Sequence, residues 1–179
     1  HAFDMLNWFF GESINVSGKL ATSIKKRPLS NSSDLLDVTS EDICLANVEI
    51  SNYRSNLIPC QVSLSSISKN GRGFSLEIYG SEGSLILKSE NQKDYVHGFN
   101  LKYSNSENKI QNLTADSNYN FEKTWTDGRI APVLRIQNLW AESIFNKTPI
   151  IPGLCEGLAS HKVCEAIRES SKSGLSIRI

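Results

Sequence analysis

The chain has 179 residues, and its 19 Lys and Arg balance its 19 Asp and Glu, so the formal net charge is zero. This balance argues against nucleic acid or an anionic membrane as the main partner. The basic cluster of the sequence, Lys25-Lys26-Arg27, is too short to form a basic stripe. The apolar stretches are far shorter than the roughly 18 residues of a membrane span, and none resembles a signal peptide.

The first predicted element is a short helix over Ala2–Phe10. Its apolar side consists of Phe3, Leu6 and Phe10. His1, Asp4 and Trp8 are spaced i, i+3, i+7 and fall on another side. Gly11 follows where a left-handed C-terminal cap is favoured. The positive end of the helix dipole favours a neutral His1 ring, which can accept a proton from a substrate hydroxyl or orient it.

From Ile14 onward the apolar period changes from 3.6 to 2, which predicts strands. The predicted strands cover residues 14–24, 42–50, 58–64, 74–78, 85–87, 99–103 and 110–113. Pro28 to Ser33 is predicted as a loop. Asn70-Gly71-Arg72-Gly73 predicts a hairpin between the third and fourth strands, and Gly80-Ser81-Glu82-Gly83 predicts another turn. Strands joined by such short turns pair antiparallel.

The helical period returns over residues 130–146 and 153–172, and residues 175–179 supply a last short strand. Thr148-Pro149 and Gly174 end these helices. The predicted fold is α+β: a large, mostly antiparallel open β-sheet with helices packed on one face. At this length residues 1–179 need form only one domain.

The second face of such a sheet often becomes an oligomer interface. Ser63, Ser65 and Ser75 indicate that this face is polar to mixed. We therefore expect a homodimer or homotetramer that assembles through the sheet face. Trp8 and Trp140 are expected in the core or at an interface, and Trp125 at a neighbouring subunit or the mouth of an active site.

The four cysteines form no Cys-x-x-Cys pair and have no histidine cluster near them. They are Cys44, Cys60, Cys155 and Cys164. Isolated cysteines of this kind are typical of reduced, mostly buried thiols. We expect a cytoplasmic protein without a metal site.

Other candidate sites are incomplete. Gly80–Gly83 lacks the Gly-x-Gly-x-x-Gly spacing and precedes a strand, so a turn is favoured over a phosphate loop. His97 and His161 are expected at the surface, and no Ser-His-Asp set is evident. A hydrolase would need catalytic residues that the sequence does not single out.

The run His1-x-x-Asp4-x-x-x-Trp8-x-x-Gly11-Glu12 resembles the first helix of the C-terminal domain in the Gfo/Idh/MocA family of NAD(P)-dependent oxidoreductases. The Ile78-Tyr-Gly-Ser-Glu-Gly-Ser-Leu element resembles a strand–turn–strand of the same domain. The segment from Glu156 to Gly174 is similar to its closing helix. These pieces keep the family's order and cover essentially the whole chain.

The resemblance implies an N-terminal Rossmann domain ahead of this chain, which binds NAD or NADP. The family's lysine, and an aspartate four residues before the histidine, would also lie upstream. The resemblance also implies that His1 is a catalytic residue, which acts as a general acid/base or orients the substrate during hydride transfer. It implies that Asp4 stabilises the fold or lies at the rim of the substrate site. Cofactor-binding residues are not expected in this chain, which alone should be inactive.

The implied substrate is a sugar-like or cyclitol-like small molecule. Nucleotide sugars and reduced imines are alternative substrates that the sequence does not exclude. The alternative is a non-catalytic substrate-binding or oligomerisation module of a dehydrogenase-like protein. A first-position histidine is also what an expression tag leaves, but the pattern along the rest of the chain favours the catalytic interpretation.

Overall fold

The computed structural model describes residues 1–71, 73–91, 94, 96, 98–105, 109–114 and 116–179. In chain order its helices and strands are α1 (Ala2–Phe10), β1 (Glu12–Ala21), β2 (Lys26–Pro28), β3 (Leu35–Asp37), β4 (Ile43–Ser51), β5 (Leu57–Ser65), β6 (Phe74–Gly80), β7 (Gly83–Ser89), β8 (Phe99–Asn105), β9 (Ile110–Leu113), α2 (Ile130–Asn146), α3 (Leu154–Ser173) and β10 (Ile177–Arg178). The predicted α+β class with antiparallel strands is confirmed. Contacts divide the chain into a first unit, His1–Lys69 with Ile151–Ile179, and a second unit, Asn70–Ile150.

The first unit contains a four-stranded antiparallel sheet in the order β10-β1-β4-β5. Alternate residues of β4 face one side, as predicted, and Ala46, Val48 and Ile50 are buried there. Helix α3 contacts β1 and buries Val163 and Ile167. Each fully buried side chain of this size contributes about 1.5–3 kcal/mol to stability, so this layer is the core of the first unit.

Helix α1 has the predicted bounds and buries Phe3 and Leu6. It contacts both α3 and β4. Gly11 ends the helix with φ 119° and ψ −159°, so the predicted left-handed cap is replaced by another conformation of positive φ. A Cβ at Gly11 would lie 2.3 Å from the carbonyl oxygen of Ser51. The close approach of β4 explains why a glycine is needed here.

Strand β10 and two serines of α3 make the hydrogen bonds along the edge of β1 that does not pair with β4. Gly174 adopts the left-handed conformation that ends α3, at φ 75° and ψ 6°. Strand β10 then pairs with Asn15 and Val16 of β1. Beyond that pairing, the backbone N–H of Gly18 donates to Ser170 Oγ at 3.0 Å, and Leu20 N–H donates to Ser171 Oγ at 2.9 Å. Two helix hydroxyls thus continue the hydrogen bonding that a strand would supply.

One turn prediction is confirmed and another is wrong. The predicted loop at Pro28–Ser33 is the turn of an exposed antiparallel hairpin of β2 and β3, with Lys26, Arg27 and Pro28 in β2. The predicted hairpin at Asn70–Gly73 is wrong, because β5 pairs with β4 whereas β6 pairs with β7. Turn residues allow the chain to reverse direction, but they do not determine which strands pair. The segment Asn70–Gly73 lies at the boundary between the two units. Arg72 lies outside the described residues.

The second unit contains the four-stranded antiparallel sheet β6-β7-β8-β9. The predicted turn at Gly80–Gly83 joins β6 to β7, which pair from Phe74 with Ser89 to Gly80 with Gly83. Helix α2 has the predicted bounds and ends at Lys147, which is left-handed at φ 54° and ψ 38°.

The tryptophans and cysteines are less buried than core residues. Trp8 and Trp140 are 75% and 60% exposed, so a place in the core is wrong for both, and a place at an interface stays a prediction. Both lie on helix sides that face away from the buried residues of their helices. The four cysteines are free thiols, Cys155 exposed and the other three half-buried. None of the helices in the described part of the chain combines the length and apolar character of a membrane span.

Candidate functional site

His1 stands at the N-cap position of α1 and is exposed. Its carbonyl oxygen accepts the first helical hydrogen bond from Met5 N–H at 3.0 Å. Its side chain makes no capping hydrogen bond to the described residues. The imidazole is therefore available to a ligand or to another part of the protein, which a proton-transfer group requires.

Asp4 lies one turn further along α1 and is half-buried. Its Oδ1 accepts a hydrogen bond from Ser160 Oγ of α3 at 3.3 Å. The single proton of this hydroxyl is shared with the carbonyl oxygen of Glu156, which lies 3.0 Å from Ser160 Oγ. Asp4 therefore joins the polar side of α1 to α3.

The far end of α1 is fixed by side-chain hydrogen bonds as well. Asn7 Oδ1 accepts from the hydroxyl of Ser13 at 2.6 Å and from its backbone N–H at 3.2 Å. Ser13 is buried at the start of β1. These bonds and the apolar contacts of Phe3 and Leu6 hold the helix that presents His1.

The N-terminus of α3 is fixed by Glu156. Its Oε2 accepts from the backbone N–H of Gly153 at 2.6 Å. This backbone hydrogen bond lowers the pKa of the Glu156 carboxyl, because it favours the charged form. The carboxylate also lies in the first turn, where the helix dipole favours negative charge. Ser160, one turn on, is thereby held beside Asp4.

Ser160 is the site residue that the sequence analysis did not identify. It is 156 positions from Asp4 in the chain. The periodicity of α3 indicates only its helical phase. The contact depends on how α3 packs against α1, which a single sequence does not encode locally.

The sequence contains no Gly-x-Gly-x-x-Gly run of the kind that holds a dinucleotide. A dinucleotide site needs a glycine turn that opens a helix, so that backbone N–H groups point at the pyrophosphate. Here the Gly80–Gly83 turn joins two paired antiparallel strands. Within the described residues there is also no group of three or more His, Cys, Asp or Glu that could hold a metal ion.

The other candidates lie elsewhere. His161 is exposed on α3, as predicted, with Nε2 4.0 Å from Glu165 Oε1. His97 lies outside the described residues. Trp125 is half-buried in the second unit, with Lys123 Nζ 5.1 Å from the centroid of its ring. Its suggested contact with an active site or a subunit stays a prediction.

Comparison with known proteins relates the whole chain to redox enzymes. The model of an oxidoreductase family's C-terminal alpha/beta domain, GFO_IDH_MocA, matches residues 1–179. An uncharacterized oxidoreductase of Synechocystis is 38% identical over 172 residues, which are 95% of this chain and 45% of that protein.

Two solved structures share the fold. An NAD binding oxidoreductase from Klebsiella pneumoniae superposes with a TM-score of 0.75 at 17% identity, covering 100% of this chain and 48% of that one. Levoglucosan dehydrogenase, in complex with NADH and L-sorbose, gives 0.73 at 16% identity, with 100% and 48% covered. The chain spans about half the length of these relatives. It therefore belongs to the Gfo/Idh/MocA oxidoreductase family, whose C-terminal α/β domain it matches throughout.

Proposed function

We propose that this chain is the substrate-binding and assembly half of an NAD(P)-dependent dehydrogenase, which transfers hydride between a nicotinamide cofactor and a sugar-like or cyclitol-like substrate. The observation that carries this proposal is the family match over residues 1–179. The 45% coverage of the Synechocystis oxidoreductase supports a second, cofactor-binding half in the complete protein.

In this proposal the cofactor, bound outside this chain, supplies the hydride chemistry, and His1 handles the proton of the substrate hydroxyl. The exposed position of His1 at the start of α1 supports this role. Asp4 and Ser160 act as positioning residues, because their hydrogen bond fixes the helix that carries His1. The chain alone should have no activity.

The substrate, assembly and location follow the same proposal. The L-sorbose complex of levoglucosan dehydrogenase supports a carbohydrate substrate. A homodimer or homotetramer would use the open face of the first sheet, where Leu45, Ser63 and Ser65 are exposed. We place the protein in the cytoplasm, without nucleic acid or membrane as a partner.

Titration of the 179-residue chain with NAD and NADP tests where the cofactor binds. We expect no saturable heat in calorimetry, because the sequence has no Gly-x-Gly-x-x-Gly run to hold a pyrophosphate. The complete protein is the positive control and should bind one of the two. Micromolar binding by the chain alone would contradict the proposal.

Replacement of His1 in the complete enzyme tests its role. We expect His1→Ala to lower kcat by about 10²- to 10⁴-fold, the usual contribution of a general acid/base, while cofactor affinity stays unchanged. His161→Ala, an exposed histidine on α3, is the matched control and should retain full activity. Undiminished turnover in His1→Ala would remove the histidine from the mechanism. A complete protein without dehydrogenase activity would favour the non-catalytic alternative.

A further inference from the structure

The Asn70-Gly71 dipeptide is a turn motif that the fold does not use for a hairpin. The predicted hairpin would pair β5 with β6, whereas these strands pair with β4 and β7. Lys69 and Asn70 instead form a turn at the boundary between the two units. Among the asparagines of the chain, only Asn70 is followed by glycine. Strand pairing therefore does not explain this dipeptide, and its chemical reactivity becomes the property of interest.

The side chain of Asn70 is not held by hydrogen bonds. Asn70 is exposed, and its amide has no hydrogen-bond partner among the described residues. By contrast, Asn52 Oδ1 accepts hydrogen bonds from the backbone N–H groups of Arg54 and Asn56, both at 2.9 Å. The amide of Asn52 is thus fixed within its turn, whereas the amide of Asn70 can rotate toward the peptide bond that follows it.

An asparagine in this situation can react with its own backbone. The nitrogen of Gly71 attacks Cγ of Asn70, a new C–N bond closes a succinimide ring, and the side-chain nitrogen leaves as ammonia. Water then opens the ring at either carbonyl and gives aspartate or isoaspartate. The net reaction consumes water and releases ammonia, so it needs no oxidant, reductant or cofactor.

The residue after the asparagine controls this ring closure. Glycine has no Cβ to crowd the approach to Cγ, and its backbone reaches the widest range of conformations. Asn31 is the opposite case in a similar setting. Like Asn70 it is exposed and left-handed, with φ of 86° against 54°. Its neighbour Ser32, however, has a Cβ and donates its backbone N–H to the carbonyl oxygen of Leu29 at 3.1 Å. The attacking nitrogen is therefore both crowded and held in place at Ser32.

We infer that Asn70 is a site of spontaneous deamidation, at which a succinimide formed with the nitrogen of Gly71 converts the side-chain amide to aspartate or isoaspartate. Each product carries a carboxylate, so the chain, whose formal net charge is zero, gains a negative charge. The isoaspartate form also adds a methylene group to the backbone between β5 of the first unit and β6 of the second. The modification thus changes both the charge and the length of the segment that joins the two units.

Incubation of the complete protein at mildly alkaline pH, followed by mass spectrometry, tests the site. Cleavage after lysine releases the peptide from Asn70 to Lys88, in which Asn70 is the only asparagine. We expect the acid form of this peptide to accumulate with time, and faster than conversion at Asn31, which fragmentation of its own peptide locates. An unincubated sample, digested in the same way, corrects for any reaction during digestion. An unmodified Asn70, or conversion at Asn31 that is as fast, would overturn the inference.

An exchange of the following residues tests the cause. Gly71→Ser gives Asn70 the neighbour that Asn31 has, and it should slow the conversion of Asn70. Ser32→Gly gives Asn31 a glycine neighbour and should speed its conversion, so the test does not depend on the folding of one variant. Asn70→Gln should remove the acidic form that appears first in ion-exchange chromatography of the wild type. Unchanged rates at both sites would show that the neighbouring residues do not control the reaction and would overturn the inference.

Discussion

Gly11 shows how one residue fixes the position of the proposed catalytic helix. It has φ of 119°, and a Cβ there would lie 2.3 Å from Ser51 O. We expect Gly11→Ala to destabilise the first unit by about 1–3 kcal/mol, the usual cost of a strained backbone conformation. Thermal unfolding followed by circular dichroism measures this change.

Gly157 is the matched control for that substitution. It lies inside α3, and a Cβ there would meet nothing within 4 Å. Gly157→Ala should raise stability by about 0.5–1 kcal/mol, since alanine is the better helix former. Destabilisation by both variants would show that packing, rather than backbone conformation, determines the effect.

The hydrogen bonds of the Asp42 carboxylate with two backbone N–H groups make the stability of the first unit depend on pH. Its carboxylate accepts from Ser23 N–H at 2.8 Å and Ile24 N–H at 2.9 Å. These bonds, that of Ile24 first, lower the pKa of the carboxyl in the folded state. Stability from Asp42 is thus fully present above the unfolded pKa of about 4 and is lost as the pH falls through the lower folded pKa.

We therefore expect the urea midpoints of the wild type and Asp42→Asn to differ at pH 7 and to converge as the pH falls below 4. Glu41 and Glu156 also have lowered pKa values, but both proteins retain them and their contribution cancels. Glu82→Gln, at an exposed turn carboxyl, is the control. A constant difference between wild type and Asp42→Asn from pH 7 to pH 3 would contradict the linkage.

At the scale of elements, the serines of α3 replace a strand along part of β1. Ser170 is buried, accepts from Gly18 N–H at 3.0 Å and donates to Leu175 O at 2.6 Å. Ser170→Ala leaves both backbone groups without this partner, which costs about 1–3 kcal/mol. Chemical denaturation should show this loss, whereas Ser173→Ala, at an exposed position, should change stability little.

The sequence predicts the elements better than their partners. The bounds of α1 and α2 follow from the 3.6-residue period and the residues that end each helix. The pairing of β5 with β4 instead of β6 is non-local, so the turn signal at Asn70–Gly73 is misleading. Similarly, the motif at the start of the chain predicts His1 and Asp4 as candidate site residues, but the contact of Asp4 with Ser160 depends on packing between distant segments.

For the whole molecule, burial differs between the two units, and so should stability. Among the described residues, the buried apolar side chains belong to the first unit, with Ala131 of α2 as the exception. Local opening free energy follows the density of buried contacts. We therefore expect backbone amides of β1 and β4 to exchange with deuterium about tenfold or more slowly than those of β6 to β9.

Hydrogen exchange of the chain under native conditions, followed by mass spectrometry, measures this difference between the units. The amides of β4, within the core of the first unit, serve as the internal reference for strong protection, because Ala46, Val48 and Ile50 of this strand are buried. The amides of β6 to β9 should exchange through local opening, because few apolar side chains are buried in the second unit. Equal protection of both units would contradict the link between burial and stability.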